Sequence, residues 1–195
     1  LTLLWPALFW TAPRPAMGTF ELLITDVGQG NAVLVRTAKH SLLYDAGPMY
    51  SETSDAGQRV LVPLLNRLGV KLDRVMLSHR DADHTGGAPA VLRAHPNADL
   101  WSSVEVGHPL ANIRPVHACI AGQKWEWDGV QFEMLHPLLS AYSKLAGTKV
   151  SGARKLNTSQ VPTPNTTEHK APWVLARRQK APATSGTKAP VSVTL

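Results

Sequence analysis

The chain has 195 residues, room for one domain of ordinary size. Apolar residues make up 44% and charged residues 17%, which excludes a wholly disordered polymer. The single cysteine, Cys119, excludes an internal disulfide and any cysteine-built zinc module, and no apolar run reaches the roughly 18 residues a spanning helix needs.

The net charge of +6 invites a nucleic-acid reading, but the charge is unevenly placed. Residues 147–195 hold eight Lys/Arg against Glu168 alone, whereas residues 1–146 hold twelve Lys/Arg against thirteen Asp/Glu. The basic character belongs to the tail and says little about the body of the domain.

The sequence begins at Leu1, not Met, and is expected to be a fragment or a processed product. Leu1–Trp10 is almost wholly apolar. It reads as the end of a longer membrane segment with Trp5 and Trp10 near the interface, or as a plain hydrophobic or signal-type stretch. Pro13 and Pro15 then form an extended linker closing at Gly18.

Regular patterning starts at Phe20. Phe20–Thr25, Ala32–Arg36 and Leu42–Tyr44 are predicted strands. Gly57–Leu68 carries Val60, Leu61, Leu64, Leu65 and Leu68 at helical spacing, with Pro63 near the start of the helix proper and Gly69 as its stop. Arg74–Leu77 is a short buried strand, Gly87–Ala94 a helix and Ala98–Trp101 a strand. Lys124–Trp127 and Val130–Leu135 flank Asp128-Gly129, a strong hairpin signal. The order predicts an α/β domain with helices packed outside sheets. From about Gly147 the chain holds eight Thr and five Pro but no Phe, Ile, Met or Asp. Such a composition buries too little apolar area to offset ordering entropy, so a disordered tail is expected.

The densest chemistry lies in Ser78-His79-Arg80-Asp81-Ala82-Asp83-His84-Thr85-Gly86-Gly87, directly after a buried strand. A strand delivers the chain to the sheet edge, and a tight loop there can turn several side chains toward one point. Imidazole nitrogen with carboxylate oxygen suits Zn or Mn, and four such ligands so close are best shared between two metals. Gly86 and Gly87 permit close backbone approach and open the next helix. Asp26-Val27-Gly28-Gln29-Gly30-Asn31 lacks the third glycine and the following helix of a dinucleotide fingerprint, so no nucleotide cofactor is expected. A Gly-rich turn with a polar side chain facing the metal loop fits it better. Asp45-Ala46-Gly47 is a third polar strand end that spacing alone does not separate from a simple turn.

Three stretches together, Asp26-Val27-Gly28-Gln29-Gly30, Leu43-Tyr44-Asp45-Ala46-Gly47 and Ser78-His79-x-Asp81-x-Asp83-His84-x-Gly86-Gly87, resemble the metallo-β-lactamase-type domain of the competence DNA-uptake channel family (ComEC type). The resemblance covers about residues 1–140. Asp81, where most of the superfamily carries a second His, marks this branch. It implies a metallo-β-lactamase αββα sandwich, here only its N-terminal half, with the metal site at the top edge. It implies His79 and Asp81 on one metal and Asp83 and His84 on the other, with Zn or Mn as the cofactor. Asp83 and Asp26 are the expected catalytic carboxylates. The implied partners are DNA and an upstream membrane channel portion of the same protein, and the implied place is the extracytoplasmic side of the bacterial inner membrane.

The chain departs from the family at Asn31, where Asp is usual, and lacks the later Asn-x-Ser-Cys, Thr-Gly-Asp and His-His-Gly-Ser stretches that would supply a bridging carboxylate and a further His. A truncated or frameshifted product is therefore expected, divided into 1–17 (membrane end and linker), 18–146 (incomplete domain) and 147–195 (tail). Its phosphodiester hydrolase activity is expected to be impaired and one sheet face to lack a partner. The alternatives are a non-catalytic DNA-guiding module and a hydrolase of small esters or thioesters on the same fold. Trp125 and Trp127 share one strand face and read as hairpin packing, and Cys119 as a small core residue.

Overall fold

A computed structural model describes residues 12–104, 108–141, 176–177 and 191–194. The strands are β1 (Glu21–Ile24), β2 (Val33–Arg36), β3 (Ser41–Tyr44), β4 (Met49–Ser51) and β5 (Ser54–Asp55). Then come a π-helical turn, Gly57–Leu61, running into α1 (Val62–Arg67), followed by β6 (Arg74–Leu77), α2 (Ala82–Thr85), α3 (Ala88–Ala94) and β7 (Asp99–Ser102). A 3-10 turn, Pro109–Asn112, leads to β8 (Val116–Ala118), β9 (Lys124–Trp127) and β10 (Val130–Glu133), with β11 (Ala176–Arg177) and β12 (Val191–Thr194) beyond.

The main sheet has six strands in the order β1-β2-β3-β6-β7-β8. Its first three strands are antiparallel neighbours, and from β3 onward the pairs β3–β6, β6–β7 and β7–β8 are parallel. Side chains alternate across this sheet as the pleat requires. Leu34, Leu43, Val75, Leu77 and Leu100 pack with Leu61, Leu65, Val91 and Leu92 of the helices. Val33, Val35, Leu42 and Met76 face the other way, toward Val130, Phe132 and Val193 of the second sheet. That second sheet runs β11-β12-β10-β9. The described layers are therefore helix, sheet and sheet.

One expectation is corrected here. The main sheet's second face has a partner, because β9, β10 and β12 cover it. The end of the tail adds one strand to that partner sheet: Val191–Thr194 lies parallel to β10, and Val193 is fully buried. Val-Ser-Val-Thr alternates β-branched side chains, a pattern that fits a half-buried strand whatever the composition upstream. The remainder of 147–195 lies outside the described residues, as does the apolar stretch Leu1–Trp10. Among the described residues no helix is long and apolar enough to cross a membrane.

The β9–β10 hairpin turns as its sequence predicts. Asp128 and Gly129 take φ of 54° and 78°, the left-handed pair of a type I′ turn. The Asp128 carboxylate then reaches back across the layers to the β2–β3 turn. It accepts from Thr37 Oγ1 at 2.6 Å, Lys39 N at 2.6 Å and His40 N at 3.2 Å, with the His40 ring at 3.1 Å. Between the sheets the Arg74 guanidinium lies 4.3, 4.6 and 5.0 Å from the ring centroids of Trp101, Trp125 and Trp127. Phe132 stacks on Trp125, so both tryptophans serve interlayer packing. Cys119 is a buried core residue, and burial pushes its thiol up to about 12.

Candidate metal centre

The site forms where the parallel strands β3 and β6 end side by side. Strand β6 hands the chain to Ser78 and His79, and β3 hands it to Asp45. Open α/β sheets gather ligands at the carboxyl ends of such strands. Two adjoining segments complete the frame: the loop from Thr25 to Asn31 and the short helix α2, which carries Asp83 and His84.

Glycines let these backbones meet. A Cβ on Gly30 would collide with the Asp83 carbonyl oxygen and press on Pro48. One on Gly86 would collide with Met49 N and Pro48 C, and one on Gly87 with Ala46 O and Gly57 N. Backbone hydrogen bonds tie the same segments: Asn31 N donates to Asp83 O at 3.2 Å, and Ala46 N to His84 O at 2.8 Å. The close approach expected at Gly86 and Gly87 is therefore present.

His79, Asp83 and His84 converge, each offering a ligand atom within 4.8 Å of the others. The two imidazole centroids are 3.9 Å apart. Asp81 stands beside this trio, its Oδ2 3.4 Å from His79 Nε2, with its side chain the most exposed of the four. Asp26 is not drawn in. Its Oδ1 accepts from Gly28 N at 3.1 Å and closes a turn of its own exposed loop.

Spacing left Asp45 undecided; the structure puts it at the base of the site, fully buried and with φ of 59°. Four donors converge on its carboxylate. Ser78 N donates to Oδ1 at 2.8 Å and Ser78 Oγ to Oδ2 at 2.9 Å. Asn31 Nδ2 donates to Oδ2 at 3.2 Å, and His84 Nδ1 lies 2.7 Å from the same oxygen. A carboxylate only accepts, so His84 Nδ1 carries the proton and Nε2 presents a lone pair to the site. His79 Nδ1 sits 2.8 Å from Ser78 Oγ, whose own proton goes to Asp45, so this ring too presents Nε2. Both imidazoles are thereby fixed in the tautomer a metal ligand needs. The hydrogen bond to Asp45 raises the His84 imidazole above its ordinary value, against burial, which lowers it.

Asn31 suits this setting. An amide donates where a second carboxylate would face Asp45 Oδ2 and require a proton or a cation between them. The donor set of two imidazole nitrogens and a carboxylate oxygen, with both second nitrogens already engaged, fits a divalent transition metal such as Zn or Mn.

A layered α/β fold with imidazole and carboxylate ligands gathered at parallel strand ends defines a class of metal-binding domain. Residues 25–150 match the model of the metallo-beta-lactamase superfamily, and the chain belongs to that superfamily. It is 32% identical over 144 residues to Uncharacterized protein YcaI of Escherichia coli, covering 74% of this chain and 18% of that protein. Over 119 residues it is 38% identical to Recombination protein 2 of Haemophilus influenzae, covering 61% and 15%. Over 115 residues it is 44% identical to Competence protein ComA of Neisseria gonorrhoeae, covering 58% and 15%. The chain thus spans less than a fifth of the length of these relatives.

Proposed function

We propose that this domain is the metal-dependent phosphodiester hydrolase part of a DNA-uptake protein. The observation that carries the reading is the convergence of His79, Asp83 and His84 on one point, with Asp45 and Ser78 holding both rings in the ligating tautomer. The names of the relatives from Haemophilus and Neisseria support DNA as the substrate class.

His79 Nε2, His84 Nε2 and an Asp83 oxygen would hold the cation. A divalent cation held there would supply Lewis-acid chemistry toward a phosphodiester. The chain's own part is positional. Asp45 accepts from Ser78, Asn31 and His84 beneath the rings and keeps His84 from rotating. Asp81, exposed and beside His79, is placed to add a donor or to take a proton at its carboxylate. Asp83 supplies the remaining negative charge, and the Asp26 loop forms one wall. The described residues bring three ligand groups together, and slow turnover is part of this reading.

In this reading the domain works at the extracytoplasmic face of the bacterial inner membrane, attached to a channel portion upstream. The test is Mn²⁺- or Zn²⁺-dependent cleavage of single- and double-stranded DNA by the 195-residue chain, beside His79→Ala/Asp83→Ala. Slow cleavage that needs metal and disappears in the double variant is expected. Cleavage equal in both proteins overturns the reading. Turnover of a thioester but not of DNA selects the small-substrate alternative, and DNA binding with no metal uptake selects the guiding module.

A further inference from the structure

The hairpin β4–β5 lies against the metal loop and carries side chains that the chemistry above does not use. Met49 and Tyr50 are adjacent on β4, 55% and 41% exposed, in a molecule whose other large apolar side chains mostly pack inward. Backbone contact seats this hairpin on the site. Gly86, at the end of α2, leaves no room for a side chain against Pro48 and Met49, and Ala56 N donates to Pro48 O at 2.9 Å. Tyr50 Oη donates to Val27 O at 2.9 Å, which pins the hairpin to the loop whose far end is bonded to the Asp83 carbonyl. Arg59, exposed on the π-helical turn, holds its guanidinium 5.9 Å from the centre of the Tyr50 ring.

Tyr50 is thus a half-exposed aromatic ring anchored at its hydroxyl, with the Arg59 cation next to it, on a hairpin seated against a site that carries Asp45, Asp81 and Asp83. An aromatic face takes a nucleobase of any identity, and a guanidinium beside it takes the adjoining phosphate. A base still paired in a duplex cannot offer its face this way, because its neighbours in the stack occupy it. We infer that Tyr50 and Arg59 form a shelf for one unpaired nucleotide next to the phosphodiester being cut, so that the site acts on a single-stranded or frayed strand. The inference rests on the phosphodiesterase reading for the bond that is cut, and on the shelf itself for the base.

The probe is a 12-nucleotide oligothymidylate with a central 2-aminopurine, bound by the full chain in EDTA so that no cleavage intervenes. Stacking on Tyr50 is expected to quench the 2-aminopurine, and the single strand is expected to bind more tightly than the same strand annealed to its complement. Tyr50→Leu should abolish the quench and weaken binding at least about fivefold, whereas Tyr50→Phe, which keeps the ring, should retain both. Arg59→Gln should weaken binding and flatten its salt dependence while leaving most of the quench. Thermal melts of the variants that match the parent exclude a folding defect as the cause. Unchanged quench and affinity in Tyr50→Leu overturn the shelf, as do equal affinity for the duplex or no binding at all. Mn²⁺-dependent cleavage measured in parallel separates the two readings. Tyr50-dependent binding without cleavage removes the hydrolase reading, and cleavage with Tyr50-independent binding removes only the shelf.

Discussion

His84 Nδ1 lies 2.7 Å from Asp45 Oδ2, although the two residues are 39 positions apart in the chain. They meet because β3 and β6 are parallel neighbours whose carboxyl ends release Asp45 and the His79–His84 loop at the same sheet edge. Asp45 is not one of the three converging groups, yet it decides which nitrogen of His84 points into the site. Asp45→Ala leaves the Nδ1 proton of His84 and both Ser78 donors without their acceptor. Metal affinity is expected to fall about 10- to 100-fold, the range seen when a partner behind a ligand is removed. Competition against a chromophoric zinc chelator measures this directly. An affinity within about twofold of the parent would show that His84 does not need Asp45.

Gly86 tests the other support of the site, backbone proximity. A methyl group there meets Met49 N and Pro48 C, which are backbone and ring-adjacent atoms with no rotamer to give. Gly86→Ala should therefore cost about 1–3 kcal/mol, the usual range for forced overpacking, and displace the β4–β5 hairpin from α2. A urea unfolding midpoint lowered to match is the expected outcome. Gly69→Ala is the useful contrast: nothing lies near its Cβ, and only its φ of 62° opposes the substitution. That smaller conformational penalty should leave it the milder of the two.

Asp128 makes stability depend on acid. Burial raises its carboxyl, but the hydrogen bonds from Thr37 Oγ1, Lys39 N and the two His40 groups outweigh burial and hold it well below the usual carboxylate range. Its side chain is only 5% exposed. A carboxyl depressed in the folded state contributes stability that is present above its unfolded value, about 3.9, and is lost as pH falls toward the folded value. Asp128→Asn should destabilise by about 1–3 kcal/mol at pH 7 through lost charge-assisted bonds. The gap between variant and parent should then narrow from about pH 5 downward. Chemical denaturation at pH 7 and at about pH 3 checks the sign. A gap that widens on acidification would contradict it.

These sites were not equally legible in the chain. Short apolar runs bounded by turn residues exposed β1, β2, β3 and β6, and the Asp128-Gly129 pair announced its turn, because both signals are local. The His79–His84 run was legible for the same reason: its ligand groups sit within one short loop. Asp45 was not, because its role is set by a neighbour strand and not by adjacent residues. The β4–β5 hairpin carries no such signal, because Met49–Asp55 is too short and polar to alternate visibly. The end strand Val191–Thr194 was hidden by the composition of the tail before it, and only its parallel pairing with β10 gives it a structural place. Arg74, too, read as the polar first residue of a strand, with nothing to announce the three tryptophans around it.

Arg74 offers a last test, because two effects of similar size oppose each other there. Its guanidinium lies against Trp101, Trp125 and Trp127, and cation–π contacts of this kind contribute about 0.5–2 kcal/mol. Against this, its Nε and Nη1 are buried with no hydrogen-bond partner among the described residues, and burial lowers the guanidinium pKa from its ordinary value. Unpartnered buried donors cost about 1–3 kcal/mol, which cancels most of the attraction. What remains is the packing of the side-chain stem between the rings. Arg74→Met, which keeps the stem and drops both charge and donors, should change stability by less than about 1 kcal/mol. Arg74→Ala, which empties the space between the tryptophans, should destabilise by about 2–4 kcal/mol. Tryptophan fluorescence reports both directly, since the reporting rings line the space. A methionine variant as unstable as the alanine one would mean that the charge, not the stem, holds the two sheets together at this point.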